Sequence, residues 1–133
     1  RIEEKRGSLF KMPSGMCGVE TMMPLMLDAV SRGKITLPFV ARVLSQRPAE
    51  IYGIERKGRL DIGSDADLVL VDMQKTRPIR NKDLHSKQPL TAFDGRSITG
   101  WPVSTYLRGR LIAADHEIVG DSGGQPAHCR AAV

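Results

Sequence analysis

The side chains of this sequence that could bind a metal or move a proton are few and scattered. There are three histidines, His85, His116 and His128, and none has a second histidine or a carboxylate at ligand spacing, so each reads as a solvent-exposed loop histidine. Cys17 and Cys129 stand far apart without a CxxC or Cys/His pattern; no zinc motif or disulfide framework is indicated, and both are expected as reduced thiols. Asp65 and Asp67 are spaced as a carboxylate pair could be for acid–base work. The remaining candidate carries its chemistry in the backbone. Pro13-Ser14-Gly15, with Gly18 close behind, is a turn-forming loop where little side-chain bulk stops main-chain N–H and C=O groups from approaching a ligand.

The net charge of +5 raises the question of nucleic acid or an anionic substrate. Basic residues gather at Arg56–Arg59 and again from Lys75 to Lys87, where Lys75, Arg77, Arg80, Lys82 and Lys87 face only Asp83. A nucleic-acid groove interleaves aromatic side chains for stacking, and this stretch has none, so it reads as solvated loop. Aromatics are 5% of the chain, which leaves the core to Leu, Ile, Val and Met.

The elements that must position these residues begin with a loop over the first eighteen. Val19, Met22, Met23, Met26, Leu27 and Val30 recur at helical spacing and predict an amphipathic helix. It should start near Thr21, so that Pro24 falls in its first turn, and end at Gly33. The methionines on that face read as core filler. A second helix takes Thr36 as N-cap and Pro38 in its first turn, with Phe39, Val40, Val43 and Leu44 on one apolar face. Pro48 is expected to stop it, leaving a further short turn over Pro48–Tyr52 capped by Gly53.

Beyond Gly53 the pattern turns to strands. Arg59–Ile62 lies between Gly58 and the turn Gly63-Ser64-Asp65, and Leu68–Val71, apolar between Asp67 and Asp72, predicts a buried strand. Val103–Leu107 and Arg110–Ala114 around Arg108-Gly109 predict a tight hairpin. Gly123-Gly124 and Pro126 predict a frayed tail after Gly120. Two helices followed by strands fit the end of one domain joined to a β module, and the helices need cover from chain upstream. The chain opens on Arg1, as a piece of a longer polypeptide would. It carries no signal-peptide pattern and no apolar run of roughly 18 residues, so a cytoplasmic location is expected.

Two blocks resemble a known family. Lys11-Met12-Pro13-Ser14-Gly15-Met16-Cys17-Gly18-Val19-Glu20-Thr21, running into Pro24-Leu25, resembles the loop and helix that follow the last metal ligand in dihydroorotase-like cyclic amidohydrolases; Glu3-Glu4-Lys5 resembles the segment just after that ligand motif. Gly58-Arg59-Leu60-Asp61-Ile62-Gly63-Ser64-Asp65-Ala66-Asp67-Leu68 is similar to the run with which amidohydrolases re-enter their small β domain. Phe93-Asp94-Gly95, Gly100-Trp101-Pro102-Val103 and Leu107-Arg108-Gly109 resemble the family's closing strands, so the likeness spans roughly residues 1–114. Cys17 departs from the pattern, since relatives often carry proline there. Hydantoinases, dihydropyrimidinases and allantoinases share the architecture and leave the substrate ring open.

The resemblance implies an α/β plus β fold: C-terminal helices of a TIM-type (β/α)8 barrel over residues 1–53, a small β-sandwich domain over 54–120, and a flexible tail over 121–133. It implies a zinc-dependent hydrolase opening a cyclic amide, dihydroorotate to N-carbamoyl-aspartate in pyrimidine biosynthesis, with one or two zinc ions in the parent enzyme. The family's ligands (an early His-x-His pair, a lysine, two further histidines and an aspartate) match no residue here, and a barrel needs roughly 200 residues or more. No catalytic or metal-binding residue is therefore expected in this chain, and no activity from these 133 residues alone. What remains is substrate contact by Pro13, Ser14 and Gly15, whose counterparts hydrogen-bond the ring amide at the barrel mouth. By the same likeness Asp65 and Asp67 belong to a strand-entry turn and are structural. The expected partners are the cyclic amide, the remainder of the barrel and further copies in a homo-oligomer, with no nucleic acid and no membrane. Two other readings are a non-catalytic amidohydrolase-like structural subunit and a basic interaction module built on Lys75–Lys87.

Overall fold

The computed structural model describes residues 8–11, 15–121 and 123–130. A short 3-10 turn, Leu9–Lys11, precedes helix α1 (Val19–Ser31), then a helical rod built of α2 (Leu37–Ala41), a π segment (Arg42–Gln46) and α3 (Arg47–Ile51). Four antiparallel strands follow, β1 (Leu68–Pro78), β2 (Ser97–Leu107), β3 (Arg110–Ala114) and β4 (Glu117–Ile118), adjacent in the order β1-β2-β3-β4.

Helix α1 starts two residues before the expected Thr21. Pro24 consequently sits in its second turn, where its missing N–H leaves one rung of the ladder unmade. The buried face also differs from the methionine stripe. Thr21, Pro24, Leu27 and Asp28 are buried while Met22 is exposed. The cause is the close approach of α1 to β2. Gly100 (φ +97°) lies directly under Leu27, and an added Cβ there would stand 2.8 Å from the Leu27 Cβ. One residue earlier, the Thr99 N–H donates to Asp28 Oδ1 at 3.1 Å, and Asp28 Oδ2 pairs with Arg32 Nε at 2.9 Å. A buried carboxylate is tolerable because its oxygens are met. Ile79, Ile98 and Trp101 form the core beside this contact, with Leu25 and Phe93 against it.

The Thr36 hydroxyl caps α2 by accepting the Phe39 N–H at 3.4 Å. Pro48 does not stop the rod. The turn before it widens into the π segment, where Arg47 N–H reaches back to the Arg42 carbonyl, and Pro48 then occupies the first turn of α3. Both helical units end as expected at Gly33 and Gly53. Gly53 N–H bonds Glu50 and Ile54 N–H bonds Ala49, and Gly33 and Lys34 repeat the pattern on Val30 and Ala29, the crossed pair of a Schellman motif.

Strand β1 runs well past Val71, and Val69 and Leu70 are exposed rather than buried, because β1 forms one edge of this sheet and carries no second layer on that face among the described residues. A bulge between Asp72 and Thr76 interrupts the ladder, and Asp72 Oδ1 accepts the Gln74 and Lys75 N–H groups there. The β2–β3 hairpin turns on Arg108 and Gly109, both at positive φ, as a two-residue turn of the right hand requires. Asp115-His116 makes an equivalent turn into β4, which the sequence did not indicate. Chain 123–130, placed in the frayed tail by the sequence, returns to the end of α3. Ile54 bridges Cys129, Glu55 N–H donates to the His128 carbonyl, and Arg130 N–H donates to the Gly53 carbonyl.

Candidate functional site

Of the three expected substrate-contact residues, Pro13 and Ser14 fall outside the described residues. Gly15 is exposed, at φ +91°, and an added Cβ would meet nothing within 4 Å. It begins a wall, Gly15–Cys17, that leads directly into α1. The Gly18 carbonyl opens that helix by accepting the Met22 N–H at 2.9 Å and the Thr21 N–H at 3.2 Å. Facing this wall are Gln88 and Leu90, and the two enclose a cleft of about 290 Å³.

The opposite wall is shaped by local bonds. Leu90 N–H folds back on the Gln88 carbonyl at 2.7 Å across Pro89. Asn81 then anchors the chain leaving that wall: its Oδ1 accepts the Thr91 N–H at 2.8 Å while its own N–H donates to Asp94 Oδ1 at 2.8 Å. The lining is electrically neutral: backbone, a Gln88 amide, the exposed Cys17 thiol, Met16 and Leu90. A primary amide with both donor and acceptor, beside main-chain groups, suits a neutral amide-bearing ring better than a free ion.

Glu20, in the first turn of α1, reaches across to the segment that carries the second wall. Its carboxylate accepts the His85 N–H (3.0 Å to each oxygen), the His85 Nδ1 (3.0 Å), the Ser86 N–H (3.1 Å) and the Ser86 hydroxyl (3.2 Å). Burial works against the charge, but the bonds from His85 and Ser86 outweigh it and hold the carboxyl below its ordinary range. Sequence reasoning missed Glu20, His85, Ser86, Gln88 and Leu90. An acid in a first helical turn was visible, but it reads as a complement to the helix dipole and says nothing of partners 65 residues away.

The other titratable candidates do not converge here. His116 is not a solvent-exposed loop residue: its ring packs edge-on to Trp101 at 4.9 Å, and its Nε2 is buried without a hydrogen-bond partner among the described residues. Burial first, then the Arg77 and Lys75 charges, push its pKa down. His128 contributes its carbonyl to Glu55. Asp65 and Asp67 converge on Lys57, and Asp67 also accepts the Arg108 N–H at 2.8 Å, which pins the β2–β3 turn. Asp65 meets Arg56 at 2.9 Å as well, so much of the Arg56–Arg59 charge is neutralised in place. In the Lys75–Lys87 stretch, Arg77 pairs with Asp83 and lies over the Trp101 ring, while Lys75 pairs at 2.7 Å with Asp115, an acid far outside that stretch. A wider open groove of about 690 Å³ between α3 and the loop 53–64 contains none of the expected site residues. No group of three or more His, Cys, Asp and Glu side chains that could hold a metal occurs among the described residues, so this donor set does not fit a metal centre. No helix among them is long and apolar enough to cross a membrane.

Comparison with known proteins places these features in a larger frame. The sequence model of the amidohydrolase family matches residues 7–112. The dihydroorotase of Methanothermobacter thermautotrophicus is 39% identical over 122 residues, 92% of this chain and 28% of that protein. The dihydroorotase of Halobacterium salinarum is 42% identical over 109 residues, 82% of this chain and 26% of that protein. The solved L-hydantoinase (dihydropyrimidinase) from Arthrobacter aurescens superposes with a TM-score of 0.82 at 35% identity, covering 92% of this chain and 28% of its own. The chain thus spans little more than a quarter of the relatives it matches.

Proposed function

The chain belongs to the amidohydrolase family, and on that premise we propose that it forms the C-terminal part of a dihydroorotase, which opens dihydroorotate to N-carbamoyl-aspartate. The observation that carries this reading is the 39% identity to a dihydroorotase across 92% of the chain. In this reading residues 1–53 complete a (β/α)8 barrel, 54–120 form the small β-sandwich domain and 121–133 follow it. The parent enzyme is a cytoplasmic homo-oligomer.

The share of the reaction that falls to this chain is positioning. A cyclic amide presents an N–H and a C=O side by side, and a loop backbone offers the matching acceptor and donor. Pro13 stiffens the loop, and Ser14 and Gly15 supply main-chain groups, with Gly15 leaving room for the ring. Hydrolysis adds one water across the ring amide, giving a carboxylate and a ureido group. The zinc expected to activate that water would be held by residues outside this chain, and no step is assigned here through it. The carboxylate of the substrate also needs a cationic partner, which the neutral cleft lining does not provide.

A second reading, a hydantoinase acting on a five-membered cyclic ureide, is favoured by the superposition on L-hydantoinase. Turnover assays on the polypeptide of the complete reading frame separate them. Preferred hydrolysis of dihydroorotate supports the first; preferred hydrolysis of hydantoins replaces it with the second; inertness toward every cyclic amide removes both.

A further inference from the structure

We propose that Glu20 is a positioning residue for the cleft, its carboxylate fixing the separation between the Gly15–Cys17 wall and the Gln88–Leu90 wall. The assignment of this cleft to the substrate ring rests on the dihydroorotase reading; the clamp itself rests on geometry. One wall ends three residues before Glu20, and the other begins two residues after Ser86. Between them a single carboxylate accepts two consecutive main-chain N–H groups, those of His85 and Ser86, together with both of their side chains, at 3.0 to 3.2 Å. Hydrogen bonds to an ionised acceptor are about twice as strong as neutral ones, and two adjacent backbone donors fix direction as well as distance. Glu20 is held on the rigid side, because α1 is docked on β2 through Leu27 and Asp28. The 85–90 segment is an irregular connection with no ladder of its own, so the clamp is what transmits the position of α1 to Gln88 and Leu90. The carboxylate is partly exposed, with 31% of its side-chain surface accessible, which leaves a path for a small anion to replace it.

The test uses Glu20→Ala in the polypeptide of the complete reading frame, with amide hydrogen exchange and steady-state kinetics as paired readouts. Exchange at Met16–Cys17 and at His85–Gln88 should accelerate about tenfold while Leu27 stays unchanged, because only the clamp has been removed. KM for the cyclic amide should rise about tenfold with kcat altered by less than about twofold, the pattern of lost positioning before chemistry. Added acetate should refill the vacated donors and reverse both effects, a response that general loss of packing would not give; chloride should not. Unchanged exchange at Met16–Cys17, unchanged KM, or no acetate response each overturns the proposal. Ser86→Ala removes one bond and leaves the fold intact; it should show the same effects at smaller amplitude, and their absence is equally fatal. If the wild-type polypeptide hydrolyses no cyclic amide, the substrate reading fails, whereas exchange and its response to acetate still decide the clamp.

Discussion

Replacing Gly100 by alanine should loosen the docking of α1 on β2, and the size of the effect can be worked from two separate sources. Gly100 sits at φ +97°, a conformation that costs an L-residue on the order of 1–2 kcal/mol. Its new Cβ would also stand 2.8 Å from the Leu27 Cβ and 3.2 Å from the Leu27 carbonyl carbon and oxygen. Carbon atoms rest at about 3.5–4.0 Å, so α1 must retreat by several tenths of an ångström, and no flexible side-chain end can absorb the shift. Overpacking of this kind costs about 1–3 kcal/mol. The retreat also stretches the neighbouring Thr99–Asp28 bond, now 3.1 Å. The expected loss is about 2–5 kcal/mol, a large part of the roughly 5–15 kcal/mol typical of a domain. Gly109→Ala is the control: φ is +77° there and nothing lies within 4 Å, so only the backbone contribution of about 1–2 kcal/mol remains. Urea unfolding followed by fluorescence suits both, because the single tryptophan, Trp101, is 4% exposed and adjacent to Gly100. Equal midpoints for the two variants would refute the packing geometry.

Two predictions concern pH. Lys57 holds Asp65 below the ordinary carboxylate range; burial opposes the same shift in Asp67, but Lys57 and the Arg108 N–H prevail. A carboxyl lowered on folding contributes stability that is present above its unfolded pKa, near 3.9, and is lost as pH falls through the folded value. The urea midpoint of the wild type should therefore drop below roughly pH 4, and that of an Asp65→Asn, Asp67→Asn double variant should drop less steeply. His116 carries the opposite charge logic: burial, then Arg77 and Lys75, lower its pKa, so protonation favours the unfolded chain and stability declines as pH falls below about 6.5. His116→Asn, which tolerates the positive φ at that turn, should flatten the profile between roughly pH 5 and 7; an unchanged slope would place the titrating group elsewhere.

Local signals were legible and distant ones were not. Thr36, Gly33, Gly53 and Arg108-Gly109 announce their caps and turn because each acts within a few residues of itself. Strand β4 escaped because its turn, Asp115-His116, reaches positive φ without a glycine. The proline rule that predicts a break at Pro48 assumes an α turn before it, and the π segment removes that assumption. The buried face of α1 departs from its pattern for a different reason. Met22 has the hydrophobicity, but Asp28 has the partner, and the partner, Thr99, lies 71 residues downstream. The site divides the same way: Gly15 could be found from turn chemistry, while Gln88, Leu90 and the Glu20 clamp exist only once α1 and the 85–90 segment meet.

The π segment constrains how this chain can change in length. A π turn accommodates one residue more than an α turn between the same ends, so deleting one residue within Arg42–Gln46 would leave a continuous, more regular helix. Everything after it, however, would swing by about 100° around the rod axis. Ala49 now lies where Gly58 must pass, its Cβ 2.8 Å from the position a Gly58 Cβ would take, and Gly53 and Ile54 now face Arg130 and Cys129. A deletion the helix itself would welcome would thus present the whole strand-bearing segment out of phase. The residue count between Thr36 and Gly53 acts as an angular setting, and an insertion or deletion here should be compensated by a second of opposite sign nearby.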